Sequence, residues 1–192
     1  VLLWPGTRVA GPRLVPSKKS VAAVDVDAGS WQVHDGEKWG ALQRGPAIGG
    51  IISEAVVGED HVFLARGGRY GFDGGKEVLD DLVVADLAGG EWKKETLESE
   101  KNVWDTILTA SGDAVFCFYI KKAADDKYEI RYRRWSGGKW GPSEVVVTEP
   151  GRINHLAAPQ KCPPNYAAVW WDTRPQTPKG QGEVRFARVP NK

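Results

Sequence analysis

Twelve residues carry side chains suited to handling a polar substrate. Glu54, Asp105 and His155 can pass protons, Tyr70 can act as an acid, base or nucleophile, and Arg152 can neutralise a carboxylate. Around them stand Arg66, Arg69 and Arg174 as anion-binding forks, Trp104 and Trp171 as flat apolar platforms, and Asn154 and Asp172 as hydrogen-bonding groups. This mix suits sugars, acidic sugars in particular, since aromatic faces stack on apolar sugar faces while guanidinium forks grip carboxylates. Plainer roles are open to the same residues. Trp104 and Trp171 also fit a core, and Glu54 and Asp105 could bond backbone amides at strand ends. Arg66 and Arg69 flank two glycines in a loop, where a solvated side chain is the default. His34 and His61 read as structural or solvated.

No local motif spaces these twelve, so the fold must bring them together. The element that reveals the fold is the stretch 128–147, which reads as a β-hairpin. Tyr128, Ile130, Tyr132 and Arg134 alternate with Glu129, Arg131 and Arg133, the period of a strand. Ser136-Gly137-Gly138-Lys139 offers the positive φ angles of a tight turn, and Trp140 opens the return. The pattern recurs at His34-Asp35-Gly36-Glu37-Lys38-Trp39 and at Ala88-Gly89-Gly90-Glu91-Trp92. Trp39 and Trp92 are 53 residues apart, and Trp92 and Trp140 are 48 apart. Apolar runs recur in step at Val62-Phe63-Leu64, Val115-Phe116-Cys117-Phe118 and Ala168-Val169-Trp170-Trp171. Shorter ones precede them at Ile51-Ile52, Val103-Trp104 and Ile153-Asn154.

Four short strands, A to D, in a unit of this length are the signature of a β-propeller blade. The expected fold is therefore an all-β propeller of about four blades in one domain, at 10–43, 48–97, 102–147 and 151–189. The last unit stops after its C strand, and residues 1–9 could complete it to close a four-bladed ring. The alternative is part of a larger propeller, since a chain that starts with Val and holds no Met has been processed or truncated.

In such a blade the A-strand starts, B-strand ends and the B–C and D–A connections share one face. The C–D turns lie on the other and look structural. The B–C connections 66–81, 121–127 and 172–183 are the long ones, and long loops on a rigid scaffold are where binding residues usually sit. All twelve candidates fall on that face. The three connections differ in length and sequence, which argues against one equivalent site per blade.

Composition excludes several classes. With 26 basic and 25 acidic residues the net charge is +1, so no global field favours nucleic acid or an anionic membrane. No apolar run approaches a membrane span. The two cysteines, Cys117 and Cys162, show no metal-ligand spacing; they could pair, or stay as buried thiols. No zinc or phosphate-loop motif is present and no cofactor is expected, although Asp80-Asp81 or Asp125-Asp126 could hold a structural calcium. The expected partner is a glycan or polysaccharide, with a second copy or the rest of a larger propeller as further candidates. No signal peptide is visible, a cleaved one being compatible with the sequence, and the expected location is secreted or periplasmic.

Residues 131–142 (RYRRWSGGKWGP) and 152–172 (RINHLAAPQKCPPNYAAVWWD) resemble the sialidase-like, BNR-repeat propellers. The family's Asp-box is present only in degenerate form, at Asp35-Gly36-Glu37-Lys38-Trp39 and Ser136-Gly137-Gly138-Lys139-Trp140. The resemblance implies a carbohydrate-active propeller, and two schemes. A uronate lyase would use Arg152, His155 and Tyr70. A sialidase-type hydrolase would use Arg66, Arg152 and Arg174 on the substrate carboxylate, Tyr70 activated by Glu54 as nucleophile, and Asp105 as acid. The competing expectation is a non-catalytic propeller, either a lectin or a protein-binding platform, or an inactive fragment of a larger ring.

Overall fold

The computed structural model describes residues 13–16, 21–25, 29–45, 48, 52–57, 61–70, 77–88, 91–123, 127–173 and 183–192. The protein is all-β, with no helix among these residues. Sheet 1 holds β1 (Arg13–Pro16), β2 (Val21–Asp25), β3 (Ser30–His34) and β4 (Gln43–Arg44), paired in that order. Sheet 2 follows with β5 (Ile52–Val57) and β6 (His61–Arg66). A small ribbon of β7 (Arg69–Tyr70) and β8 (Glu77–Val78) then leads to β9 (Asp80–Ala88) and β10 (Glu91–Ser111). Sheet 3 begins on the second half of β10 and continues through β11 (Ala114–Lys122) and β12 (Tyr128–Ser136) to β13 (Lys139–Trp140) and β14 (Glu144–Glu149). Sheet 4 has β15 (Ile153–Ala157), β17 (Tyr166–Thr173) and β18 (Glu183–Pro190). Between the first two of these, β16 (Lys161–Cys162) runs parallel to the end of β10.

The repeat is a structural one. Trp39 pairs with His34, Trp92 with Leu87 and Trp140 with Trp135, each five residues back across its turn. Gly40 N–H donates to Val33 O at 2.8 Å, and Gly141 N–H repeats the bond to Arg134 O at 2.8 Å. Gly137 and Gly138 take φ of 58° and 85°, and Gly36 takes 106°, which side chains other than glycine rarely adopt. The fourth strands depart from the expected form. In sheet 3 the strand breaks at Gly141-Pro142-Ser143, where proline has no N–H to give the ladder. In sheet 1 only the single bridge at Trp39 precedes the short β4.

A second departure is β10. The last strand of unit two and the first of unit three are one continuous strand, so sheets 2 and 3 share it. Its first half pairs with β9 and its second with β11, with register breaks between Glu98 and Val103 and between Val103 and Thr106. The corner is Lys101, whose φ of 49° is the one positive value on a non-glycine residue among the described residues. Its N–H donates to Asp81 Oδ1 at 3.1 Å.

The second strands of the two middle units, β6 and β11, are apolar on both faces because they are buried on both. In β6, Val62 and Leu64 pack against Ala22, Val24 and Trp31 of sheet 1, while Phe63 and Ala65 face Val115, Cys117 and Tyr119 of sheet 3. In β11, Phe116, Phe118 and Ile120 face Ala167, Val169 and Trp171 of sheet 4. Each of the valine, leucine, isoleucine and phenylalanine side chains among them stabilises the stack by about 1.5–3 kcal/mol. The fourth-strand tryptophans pack backwards: Trp92 lies edge-on to Trp31 at 6.1 Å, and Trp140 edge-on to Phe63 at 5.9 Å. Cys117 and Cys162 are buried free thiols, with burial pushing the Cys117 thiol up to about 12.

Candidate functional site

The first strands of sheets 2, 3 and 4 lie side by side and line an open groove of about 450 Å³. Ser53 and Glu54 enter it from β5, Asp105 and Leu108 from β10, and His155 and Gln160 from β15 and the segment after it. Side chains stitch these strands together. Leu108 N–H donates to Ser53 Oγ at 2.8 Å, and Leu156 N–H donates to Asp105 Oδ2 at 3.0 Å. Asp105 and His155 occupy matching places, each in a register break of its strand, between Val103 and Thr106 and between Ile153 and Leu156. Such bulges re-aim a side chain and are over-represented beside active sites.

Asp105 is the chemically unusual group. Burial raises its carboxyl above the ordinary carboxylate value, although the Leu156 and Thr106 amides pull the other way. His155 Nδ1 stands 3.9 Å from Asp105 Oδ2, with the imidazole 72% exposed and free to face a ligand. Its own N–H donates to Asp172 Oδ1 at 2.9 Å, so Asp172 holds the backbone that carries the histidine. Glu54, Asp105 and His155 are thus brought into one groove as their strand positions implied.

Other candidates have different surroundings. Arg66 donates from Nη1 to Ile48 O at 2.7 Å and pairs through Nη2 with Asp80 at 2.9 Å. Trp171 is buried and donates from Nε1 to Glu149 Oε1 at 3.0 Å. Trp104 is buried in the core between sheets 3 and 4, with the Arg152 guanidinium 5.0 Å over its ring. None of Arg66, Trp104, Arg152 and Trp171 lines the groove. Arg69 and Tyr70 belong to the β7–β8 ribbon and Asn154 to β15; the side chains of all three lie outside the described residues, as does Arg174 entirely. His61 is structural, held by Asp86 at 2.9 Å and stacked on Phe63.

Two further residues position the site and were not singled out from the sequence. Glu98 reaches from sheet 2 into sheet 3, accepting from Tyr119 Oη at 2.8 Å and from Arg133 Nε and Nη2 at 3.2 and 3.1 Å, with Lys121 Nζ at 3.3 Å. Glu149 makes the same reach from sheet 3 into sheet 4, accepting from Trp171 Nε1 and from Arg185 Nη1 at 2.8 Å. Their spacing of 51 residues, and that of 52 from Tyr119 to Trp171 and from Arg133 to Arg185, follows the repeat and was the signal available. Glu98 stands on the first half of β10, ahead of the half that delivers Asp105, and Glu149 ends β14 just before the strand that delivers His155. Arg66 takes the corresponding place in sheet 2, gripping the Ile48 carbonyl ahead of β5.

The calcium candidates differ in description. The Asp80 and Asp81 carboxylates serve Arg66 and Lys101, and Asp125-Asp126 lies outside the described residues. Among the described residues no cluster of three or more His, Cys, Asp or Glu could hold a metal. Among the described residues no helix is long and apolar enough to cross a membrane.

No family model and no curated protein matches the sequence. Similar solved structures include the catalytic domain of the Coprinopsis cinerea GH62 alpha-L-arabinofuranosidase, at 10% identity and a TM-score of 0.47, over 94% of this chain and 72% of that one. Another is a mutant of the Aleuria aurantia lectin in complex with alpha-methyl-L-fucoside, at 14% identity and a TM-score of 0.41, over 94% of this chain and 60% of the lectin. This chain therefore spans less than two thirds of the lectin. The resemblance to sialidase-like BNR propellers is corrected by these findings: the likenesses are to an arabinofuranosidase and a fucose-bound lectin, and no sialidase family model matches. Nor is a closed four-bladed ring shown.

Proposed function

We propose that the four sheets are propeller blades and that the groove along their first strands binds a carbohydrate. The observation that carries this reading is the convergence of Glu54, Asp105 and His155 from three successive strands, two of them at matching bulges. Carboxylates and an imidazole on rigid strands are well suited to sugar hydroxyls, which need acceptors and donors at fixed positions. The charge of the groove modifies the expectation of an acidic sugar. Among the described residues its lining includes two carboxylic acids and no arginine or lysine, so on that lining a neutral glycan meets less repulsion than a uronate or sialoside. The sialidase and uronate-lyase schemes are not retained.

A hydrolytic version rests on Asp105. A carboxyl whose proton is held by burial is the kind of acid that protonates a leaving glycosidic oxygen, and Glu54 supplies the second carboxyl that such chemistry requires. The test is calorimetric titration with a panel of neutral and acidic oligosaccharides, alongside chromatographic detection of cleavage. Neutral-sugar binding by the wild type, lost in His155→Ala and Glu54→Gln, is the expected outcome. Cleavage abolished by Asp105→Asn with binding kept assigns the acid. Binding that survives Glu54→Gln, Asp105→Asn and His155→Ala together places the carbohydrate site elsewhere.

A further inference from the structure

The buried clusters join sheet 1 to 2, 2 to 3 and 3 to 4, and none among the described residues joins sheet 4 to sheet 1. The stack therefore has two unlike ends. At one end, register makes the cross-strand pair Trp170–Phe186 of sheet 4 the counterpart of Phe118–Tyr132 in sheet 3 and Ala65–Val84 in sheet 2. In sheets 2 and 3 this pair packs into the junction with the following sheet. In sheet 4 it faces solvent: Trp170 is 37% exposed, Phe186 50%, and Val184 beside them 76%. The two rings stack at 5.7 Å, and Arg188 extends the row between Phe186 and Tyr166. The outer edge of β18 also has no neighbour among the described residues, whereas the third strand of every other sheet has one.

We propose that a second copy of this chain covers that face with its sheet 1, so that two copies close head to tail. At the other end of the stack Leu14 lies on the far side of sheet 1. It pairs with Ala23, while Ala22 and Val24 turn towards sheet 2. Leu14 is 61% exposed and Leu42 51%. The junction would add a fourth apolar sheet-on-sheet contact to the three already described, here with the aromatic surface of sheet 4 against the aliphatic one of sheet 1. Formed twice about a two-fold axis, it leaves neither apolar end in water. Aromatic residues grouped on a flat sheet face are also what protein interfaces select.

Size-exclusion chromatography with light scattering tests this. The wild type is expected at twice the 21.0 kDa chain mass. Phe186→Asp and Leu14→Asp, at opposite ends, should each give a monomer with unchanged far-ultraviolet circular dichroism. Mixed together they keep one intact junction, so dimer should partly return. Val184→Lys replaces Phe186→Asp if that variant misfolds. A monomeric wild type at high micromolar concentration overturns the proposal, and monomer amides of β18 that resist hydrogen exchange would assign the cover to the chain's own N-terminal segment instead. A Leu14→Asp dimer, or no recovery on mixing, also overturns head-to-tail closure. Neither result bears on sugar binding in the groove.

Discussion

The junction between sheets 2 and 3 and the junction between sheets 3 and 4 are built to one plan and differ in what the plan holds. Both place a glutamate before the incoming first strand and receive it with a donor at the end of the next second strand and an arginine on the third. At the first junction the donors are Tyr119, Arg133 and Lys121, all largely shielded, and Ser143 and Arg131 extend the network. At the second they are Trp171 and a half-exposed Arg185, which also pairs with the exposed Glu183. The plan thus sets the position of the strand, while local shielding sets how strongly the ionic part holds it. Asp105 is delivered by the shielded junction and His155 by the open one.

The largest effect that could break this comparison is Glu98→Ala, which strips the acceptor from three donors. It should cost about 3 kcal/mol, the low end for a broken buried pair because its cations reach some solvent. Urea unfolding measures it, and a loss no larger than that of Glu149→Ala would show that shielding does not distinguish the junctions. Glu149→Ala should cost about 1–3 kcal/mol, set by the buried Trp171 indole left without its acceptor. Gly67→Ala tests packing at the same corner without touching charge. A Cβ there would sit 2.9 Å from Val103 Cγ1 and 3.4 Å from Thr106 Cβ, next to the strand that carries Asp105. It should cost about 1–3 kcal/mol, and an unchanged unfolding midpoint would show that the strand gives way freely.

The smallest effects concern pH, and they have opposite signs. For Glu98, burial works to raise the pKa, but the hydrogen bonds of Tyr119 and Arg133 and the Lys121 charge prevail, and it lies below the ordinary 4.5. Its stabilisation is therefore complete above pH 4.5 and is lost as pH falls through the lowered folded value. Glu98→Gln should flatten that acid limb. For Asp105 the folded value lies above the ordinary 3.8, so stability rises as pH falls through the raised value towards 3.8. Asp105→Asn should remove that rise. Unfolding midpoints from pH 3 to 7 check both, and limbs of the same sign would contradict the assigned environments.

Much of the architecture was legible because its signals are local. Glycine pairs and Asp-Gly before a tryptophan define turns, and doubly apolar strands define what is buried on both faces. Glu54, Asp105 and His155 could be placed for the same reason, since each follows from strand order. Arg66 and Trp171 could not be separated from ligand-binding residues, because their partners, Ile48 and Glu149, lie 18 and 22 residues away and are chosen by packing. Trp104 was ambiguous likewise. The run through β10 was hidden because its corner falls on Lys101, where neither glycine nor proline announces a bend. Glu98 and Glu149 carry no local motif, so only their 51-residue spacing, in step with the repeat, could have pointed to them.

The shared strand has a mechanical consequence. Ladder bonds on both halves of β10 tie the two middle sheets to one length of backbone, so neither can peel away without stripping pairs from the other. The centre of the molecule should therefore open as one cooperative unit while sheets 1 and 4 fray independently. Asp105 and Glu54, both on sheets of that centre, would keep their places while His155 is held on a strand of sheet 4 that can breathe against them.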